Sequence, residues 1–249
     1  MDNQFINLNE TNIDQEHLCC IIRSRVAHPG VEAKREWLKN RLKEGHVFRK
    51  LDVKGTVFIE YAPVESAWVP ILGDNYLYLY CLWVDGEFKG KGYGKALLEY
   101  CIQDAKEKKK SGICLLGAKK QKHWLTNQNF VKSFGFDIVD STPSGYELLA
   151  LSFDGTKPTF TKNAKLERIN NQELTIYYDD QCPFIEQKIM NVKTHCECNH
   201  IPITLHHIQS LKQAKDIPCV FNNYAVFYQG KFETVNLLEL NMLDKIIAK

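Results

Sequence analysis

Tyr76-Leu-Tyr-Leu-Tyr-Cys-Leu-Trp-Val84 and, shortly after it, Lys89-Gly90-Lys91-Gly92-Tyr93-Gly94 form the stretch of sequence that decides the fold. The first segment is apolar and aromatic throughout, which is typical of a strand buried on both faces of a sheet. The alternating glycines of the second segment permit a tight turn and a close approach of the backbone to a ligand. A helix is predicted from about Gly92 to Lys110, because apolar residues recur there on one face.

The glycine loop is a candidate pyrophosphate site. The helix after it offers unpaired backbone N–H groups and the positive end of its dipole, and Lys89, Lys91 and Lys95 add positive charge. A P-loop needs a lysine followed by Ser or Thr, whereas Lys95 precedes Ala96. A dinucleotide-binding fold places its glycine loop after the first strand, whereas this loop follows several predicted strands. A flexible glycine turn without a ligand stays open at this point.

The pattern of helices and strands predicts two α/β domains. Up to residue 154, helices are expected over residues 12–22, 31–45 and 124–134, and strands over residues 46–53, 55–62, 112–118 and in a pair across 136–153. The polar stretch of residues 155–172 is typical of a linker. The pattern then restarts with strands over 173–178 and 201–207, helices over 182–196, 209–215 and 237–247, and a hairpin across 220–235. We therefore expect domains over residues 1–154 and 173–249.

Composition places the chain among ordinary globular proteins. Hydrophobic residues make up 44% of its 249 residues, charged residues 25%, and the formal net charge is +2, which does not favour a nucleic-acid partner. No apolar run is long enough to span a bilayer, so no membrane partner is expected. The start, Met1-Asp2-Asn3-Gln4, does not resemble a signal peptide, and the odd number of nine cysteines argues against a disulfide framework. The prediction is a reducing, cytoplasmic location.

Two motifs resemble those of a known superfamily. Lys89-x-x-Gly92-x-Gly94 resembles the acetyl-CoA motif of the GNAT superfamily of N-acetyltransferases, with Lys89 in the place of Gln or Arg. Phe130-Val131-Lys132-Ser133-Phe134-Gly135-Phe136 is similar to the late helix of that superfamily, which ends in a Gly-Phe pair. The resemblance implies an α/β fold with a mixed sheet flanked by helices, and it implies acetyl-CoA as the acetyl donor.

The resemblance also implies which residues bind acetyl-CoA. The pantetheine arm would pair with backbone groups of Leu82, Trp83 and Val84. The pyrophosphate would be held by backbone N–H groups of Lys89, Gly90, Lys91, Gly92, Tyr93, Gly94 and Lys95. The basic run of Lys119, Lys120 and Lys122 would either reach the ribose phosphate or form a solvated turn.

The implied reaction is direct transfer of an acetyl group to a primary amine of a small molecule or a peptide. Glu60 is the candidate base, because a carboxylate in an otherwise apolar strand is costly unless it faces a cleft or solvent. Tyr80, on the central strand, is a second catalytic candidate. The substrate pocket is expected to include Glu65, Trp68 and Tyr78.

The sequence departs from the family pattern at two positions. The tyrosine that many members use as an acid falls on Val131, and an asparagine that often contacts pantetheine falls on Trp124. The acid is therefore another residue or water.

The second domain resembles the thioredoxin-like fold. Cys182 lies at the start of a predicted helix, where that fold places a reactive cysteine, and Ile217-Pro218 matches the position of its cis-proline. Ile185 replaces the second cysteine, so Cys182, a third catalytic candidate, would act as a monothiol or together with Cys219. An acetyltransferase domain followed by this tail resembles bacterial and archaeal acetyltransferases with a YoaP-like C-terminal domain.

Several alternatives stay open at this stage. The chain could instead be a thiol-dependent redox or thiol-binding protein acting through Cys182, or a non-catalytic acyl-CoA sensor. The tail could also be a packing module in which Cys182 is unreactive. No metal is expected, because the Cys196-Glu197-Cys198 pair is spaced too closely for a typical zinc site. The sequence leaves a homodimer open.

Overall fold

The computed structural model describes residues 5–18, 20–22, 26 and 28–248, and it folds them around one large and one small β-sheet. The strands up to residue 160 are β1 (Phe5–Asn7), β2 (Val47–Leu51), β3 (Val57–Pro63), β4 (Ile71–Leu72), β5 (Tyr76–Val84), β6 (Gly112–Ala118), β7 (Asp137–Ser141), β8 (Tyr146–Ser152) and β9 (Thr159–Phe160). Seven of them form a sheet in the order β1-β2-β3-β5-β6-β8-β7, and β4 pairs with β9. The predicted central strand, residues 76–84, is confirmed as β5.

Helices cover both faces of the large sheet. They are α1 (Pro29–Leu42), α2 (Tyr93–Glu107) and the short α3 (Gln128–Lys132). The apolar face of α2, with Leu97, Leu98 and Cys101, packs with Val131 of α3 on one side of the sheet. On the opposite side, Trp37 and Leu38 of α1 join a different hydrophobic cluster. The mixed α/β architecture expected from the sequence is confirmed.

The second sheet is formed by the C-terminal part of the chain. Its strands and helices are β10 (Leu174–Tyr178), α4 (Phe184–Cys198), β11 (Ile203–His207), α5 (Leu211–Asp216), β12 (Tyr224–Tyr228), β13 (Lys231–Thr234) and α6 (Leu240–Ile247). The sheet order is β11-β10-β12-β13, with β10 and β11 parallel and the other neighbours antiparallel. The helices α4 and α6 cover one face. The Ile217–Pro218 peptide bond, expected at a cis-proline position, is trans.

Two predicted helices differ from the observed structure. Residues 10–15 form hydrogen-bonded turns rather than the start of a helix over 12–22, and Cys19 lies outside the described residues. The helix predicted over 124–134 is reduced to Gln128–Lys132, because Trp124 adopts a left-handed backbone conformation with φ of 69°. The loop that precedes α3 is therefore longer than the sequence suggests.

The two sheets share hydrophobic cores. Phe221 and Phe227 of the C-terminal part pack in one cluster with Trp37 of α1 and Phe48 of β2. The segment predicted as a linker also packs: β9 pairs with β4, and Phe160 is buried. Lys215 of α5 donates hydrogen bonds to the backbone oxygens of Val64 (2.7 Å) and Ile71 (2.9 Å). The C-terminal part therefore shares its core and hydrogen bonds with the first part, and we expect both parts to unfold together.

Truncation of a core side chain in the C-terminal sheet tests this shared core. All four tryptophans lie before residue 125, so tryptophan fluorescence reports unfolding of the first part and of its packing against the C-terminal part. Phe227→Ala should shift the urea-unfolding curve recorded by that fluorescence by about 3–5 kcal/mol, because Phe227 is fully buried in the shared cluster. The control Met190→Ala, at a side chain that is 53% exposed, should change stability by less than about 0.5 kcal/mol. An unchanged fluorescence curve for Phe227→Ala would show that the first part folds independently.

Candidate functional site

The central strands β5 and β6 pair over only part of their lengths. Their parallel register joins Tyr76 with Gly112, Leu77 with Ile113 and Tyr78 with Cys114, and it ends there. The strand β5 continues to Val84, paired on its other side with β3. The backbone of Leu82–Val84 thus faces a gap in the sheet, where it can pair with an extended ligand as a strand would.

The glycine loop lies at the end of this gap. Gly90 and Gly92 have φ values of 75° and 82°, which non-glycine residues rarely adopt, and no atom lies within 4 Å of a Cβ built on either. Gly92 is the N-cap of α2, and no side chain caps the helix there. Open space therefore meets the backbone N–H groups of the first helical turn, which is the geometry that binds a phosphate.

A groove of about 540 Å³ runs along the gap. One wall contains Leu82, Trp83, Val84, Lys89 and Gly94, which the sequence assigned to cofactor binding. The opposite wall is the loop of residues 121–127, together with Phe130. Of the three lysines expected near a ribose phosphate, Lys122 lines the groove. The other residues assigned to cofactor binding are neighbours of Lys89 and Gly94 in the sequence. They lie in the glycine loop and the first turn of α2, at Gly90–Tyr93 and Lys95.

A second, inner cavity of about 270 Å³ lies where the two parts of the chain meet. Trp83 and Trp124 line both this cavity and the groove, so the two spaces adjoin there. From the first part come Glu60 and Tyr80, and from the C-terminal part come Cys182 and Phe184. The rings of Phe184 and Trp124 are in contact, with centroids 5.6 Å apart. The C-terminal part therefore supplies a wall of the cavity.

Glu60 is the centre of a buried polar network on the cavity wall. Its Oε2 atom accepts hydrogen bonds from Lys34 Nζ (2.7 Å) and Gln181 Nε2 (2.8 Å), and its Oε1 atom lies 3.0 Å from His46 Nε2. Lys34 also donates to the backbone oxygen of Gln181 at 2.7 Å. The side chains of Glu60 and Lys34 are 0% and 1% exposed, so this is a fully buried ion pair.

The charges in the network follow from its geometry. Burial alone would raise the pKa of Glu60, but the Lys34 ammonium and then His46 outweigh it and hold the pKa below its ordinary value. Burial lowers the pKa of His46, although Glu60 opposes this, so the ring is neutral at pH 7. Glu60 is therefore an ionised carboxylate at neutral pH, already paired with one cation.

Comparison with known proteins places this architecture in a family. The chain is 34% identical over 245 residues to a Bacillus subtilis (strain 168) protein described as "Uncharacterized N-acetyltransferase YoaP", and the match covers 98% of each chain. A family model described as "Acetyltransferase (GNAT) family" matches residues 15–136. The chain belongs to the GNAT family of acetyltransferases. A second family model, "YoaP-like", matches residues 202–245 of the C-terminal part.

Solved structures of GNAT proteins are similar to about three-fifths of the chain. The PaiA N-acetyltransferase from Thermoplasma acidophilum, in complex with coenzyme A, is 16% identical, with a TM-score of 0.41; the match covers 60% of this chain and 99% of that one. A GNAT acetyltransferase from Staphylococcus aureus Mu50 is 18% identical, also with a TM-score of 0.41, over 59% and 97% of the two chains. The family assignment rests on the sequence matches. As a GNAT enzyme, the chain is an acyltransferase that uses acetyl-CoA as its acetyl donor.

The inner cavity contains some of the catalytic and substrate candidates but not all. Glu60, Tyr80 and Cys182 line the inner cavity. Trp68 instead lines a separate surface cavity next to Arg41, whose guanidinium lies 4.2 Å from its ring, and its backbone N–H donates to Tyr80 Oη at 2.6 Å. Trp68 is thus adjacent to the inner cavity through Tyr80 without lining it.

Two further substrate candidates lie outside the inner cavity. Tyr78 is fully buried, and its hydroxyl donates to Asn222 Oδ1 at 2.7 Å, so it supports the cavity wall from behind. Glu65 is exposed and accepts a hydrogen bond from the backbone N–H of Asn75 at 2.6 Å. Neither side chain lines either of the two adjoining spaces.

Several residues that sequence reasoning missed shape the cavity. Lys34 is one of several charged residues on α1, and Gln181 and Asn223 belong to the C-terminal part, far from Glu60 in sequence. Asn223 Nδ2 donates to Gln181 Oε1 at 2.6 Å, which continues the Glu60 network across the interface. No local pattern marks these three, because their role depends on contacts between residues far apart in sequence.

Thiols are unusually frequent on the cavity wall. Cys20 and Cys81 line it together with Cys182, whereas Cys219, the partner expected from the sequence, is buried in the shared hydrophobic cluster. The described cysteines are all thiols. Within the described ranges, no three His, Cys, Asp or Glu side chains form a group that could hold a metal ion. A search of the same residues finds no helix that is both long and apolar enough to cross a membrane.

Proposed function

We propose that the protein transfers the acetyl group of acetyl-CoA to a primary amine bound in the inner cavity. The observation that carries this proposal is the junction at Trp83 and Trp124, where the groove along β5 adjoins the cavity. Acetyl-CoA would supply a thioester at this junction. A donor in the groove and an acceptor in the cavity would then meet at the backbone of Leu82, which lies between two cavity-lining neighbours, Cys81 and Trp83.

The fit of acetyl-CoA to the groove is supported by two features of this chain. Leu82–Val84 pair with β3 on one side, and the alternate backbone groups that face the gap on the other side can bond to the amide groups of the pantetheine arm. The turn of Gly90–Gly92 presents the uncapped start of α2 to the pyrophosphate. A backbone N–H on β5 near Leu82 would also polarise the acetyl oxygen, which is how such donors accelerate acyl transfer.

Glu60 has a role that agrees with its lowered pKa. The amine would attack the acetyl carbon as a neutral nucleophile, and its nitrogen gains positive charge as the new bond forms. An ionised carboxylate on the cavity wall stabilises that charge and accepts the proton, directly or through water. We propose Glu60 for this step, with Lys34 and His46 keeping it ionised and fixed.

The leaving thiolate of CoA needs a proton donor. Val131 occupies the position of the tyrosine that many GNAT enzymes use, and it is fully buried in the core under α2. Tyr80 and Cys182 both line the cavity and carry donor groups. Burial, and secondarily Asp179, raises the pKa of Tyr80 well above its ordinary value, so its hydroxyl stays protonated. Their position on the cavity wall makes Tyr80 and Cys182 our candidates for this donor.

A glycine substitution in the loop tests the proposed pyrophosphate site. Gly92→Val should weaken acetyl-CoA binding, measured by calorimetry, by about tenfold or more, because a branched side chain fills the space at the start of α2. Gly155→Val is the matched control, since Gly155 has a similar φ of 84° with open space around it and lines neither space. The backbone strain is thus similar in both variants. Equal acetyl-CoA affinity in the two variants would remove the loop from the binding site.

The role of Glu60 is tested by an isosteric change. Glu60→Gln should lower kcat by about 100-fold with little change in the KM for acetyl-CoA, because only the proton-accepting step is removed. Glu32→Gln, at an exposed carboxylate on α1, is the control. Since the change leaves the Lys34 charge buried, the double variant Lys34→Met with Glu60→Gln shows whether low activity reflects misfolding. A kcat equal to that of the wild type in Glu60→Gln would exclude the proposed role.

A thiol function of Cys182 is the second candidate. The observation in its favour is that Cys20 and Cys81 line the same cavity. If two thiols act together, an aromatic disulfide reagent should release two equivalents of thiol per chain and leave a disulfide between Cys182 and one of these cysteines. Peptide mass spectrometry would identify it, and Cys182→Ser should remove it. Because Cys198 is exposed and reacts in any case, the decisive readout is the disulfide itself: its absence, with Cys182 unmodified or held only as a mixed disulfide with the reagent, would exclude a dithiol cycle at this site.

A further inference from the structure

The inner cavity limits the part of a ligand that it can enclose. Its volume of about 270 Å³ equals about nine molecules of liquid water, which corresponds to a ligand of about ten non-hydrogen atoms. The walls belong to both parts of this chain, including Cys182, Phe184 and Asn223 of the C-terminal part. A folded protein segment would need far more room than this.

The charges on the cavity wall are already matched. Glu60 pairs with Lys34 at 2.7 Å, and Asp85 pairs with Lys89 of the glycine loop at 2.6 Å. Lys34 is the one cationic side chain among the described residues that line the cavity. Among these described residues, no further cation is present for a ligand carboxylate, and both Glu60 and Asp85 already have a lysine partner when a second ammonium group enters. Burying either charge without a partner is costly.

The remaining wall is rich in aromatic rings. Phe58 and Trp83 lie on the side of the large sheet, and Trp124 and Phe184 meet across the junction with the groove. Aromatic faces and thiols stabilise flat apolar groups through stacking and sulfur contacts. These walls suit the hydrocarbon or aromatic body of a small amine.

We infer that the acceptor is a small monoamine with an apolar, preferably aromatic, body and no carboxylate. This inference rests on the proposed function and narrows it to one substrate class. We expect amino acids, peptides and polyamines to be poorer acceptors, because each adds a charge or a bulk that the described walls do not match.

The experiment is a comparison of amines that differ in one feature. CoA release from acetyl-CoA is measured with 2-phenylethylamine, phenylalanine, spermidine and a tripeptide as acceptors. Phenylalanine is the matched control, because it adds only a carboxylate to the same ring and amine. We expect kcat/KM for 2-phenylethylamine to exceed that for each of the other three by about 100-fold or more. Quenching of the cavity tryptophans by 2-phenylethylamine, and not by phenylalanine, would report binding independently of turnover.

A cavity-filling variant tests the location of the amine. Leu237→Trp enlarges a wall residue of the C-terminal part. It should lower kcat/KM for 2-phenylethylamine by about tenfold or more and should affect methylamine much less, because methylamine needs little room. Acetyl-CoA affinity, measured by calorimetry, shows that the variant is folded. Equal losses for both amines would place the acceptor elsewhere.

The outcomes distinguish this inference from the function on which it rests. Turnover of phenylalanine, spermidine or the tripeptide at a rate equal to that of 2-phenylethylamine would overturn the monoamine inference and leave N-acetyl transfer intact. Absence of CoA release with all amines, despite tight acetyl-CoA binding, would overturn both.

Discussion

The buried ion pair between Glu60 and Lys34 is the interaction on which the rest of the site depends. It joins β3 to α1, and through Gln181 it ties both to the loop that precedes α4. Removing one partner of such a pair costs about 3–5 kcal/mol, because the other charge is left buried alone. The contacts of Gln181 with both members of the pair connect the first part of the chain to the C-terminal part. The inner cavity depends on that connection, since its walls come from both parts.

The second constraint is the divergence of β5 and β6 after Tyr78 and Cys114. A continuous sheet would have no groove, and the backbone at Leu82 would be satisfied by its neighbour. The divergence leaves that backbone available, while α2 and the glycine loop close the far end. Because Trp83 lines both spaces, a ligand held by β5 must approach the cavity wall that the C-terminal part completes. The tail thus belongs to the proposed reaction centre as well as to the hydrophobic core.

Sequence reasoning succeeded where the signal is local. The buried strand β5, the glycine loop and α2 follow from hydrophobic runs and glycine spacing, and the structure confirms these elements. It failed where the contacts are distant in sequence. The helix before Gly135 is shorter than predicted because of the backbone of Trp124, which periodicity does not show. From its place in the sequence, Lys34 cannot be told from a solvated lysine, yet it is buried. Glu65 was predicted to line the substrate pocket, yet it is exposed. Only the packing of the two parts of the chain distinguishes these two charged residues.

Glu60 and Asp85 are already paired with lysines, and this determines in which protonation state an amine enters the cavity most readily. An alkyl amine has a pKa of roughly 10, so at neutral pH about one molecule in a thousand is neutral, a cost of about 4 kcal/mol. The amine must lose its proton whether it does so in solution or inside the cavity, because only the neutral form attacks. An amine that enters charged must also be desolvated, at several more kcal/mol, and Glu60 and Asp85 are already paired. Entry of the neutral amine is therefore the cheaper route, and it makes a strong base unnecessary. A weakly basic carboxylate such as Glu60 then suffices, because it acts only once the attacking nitrogen has become acidic.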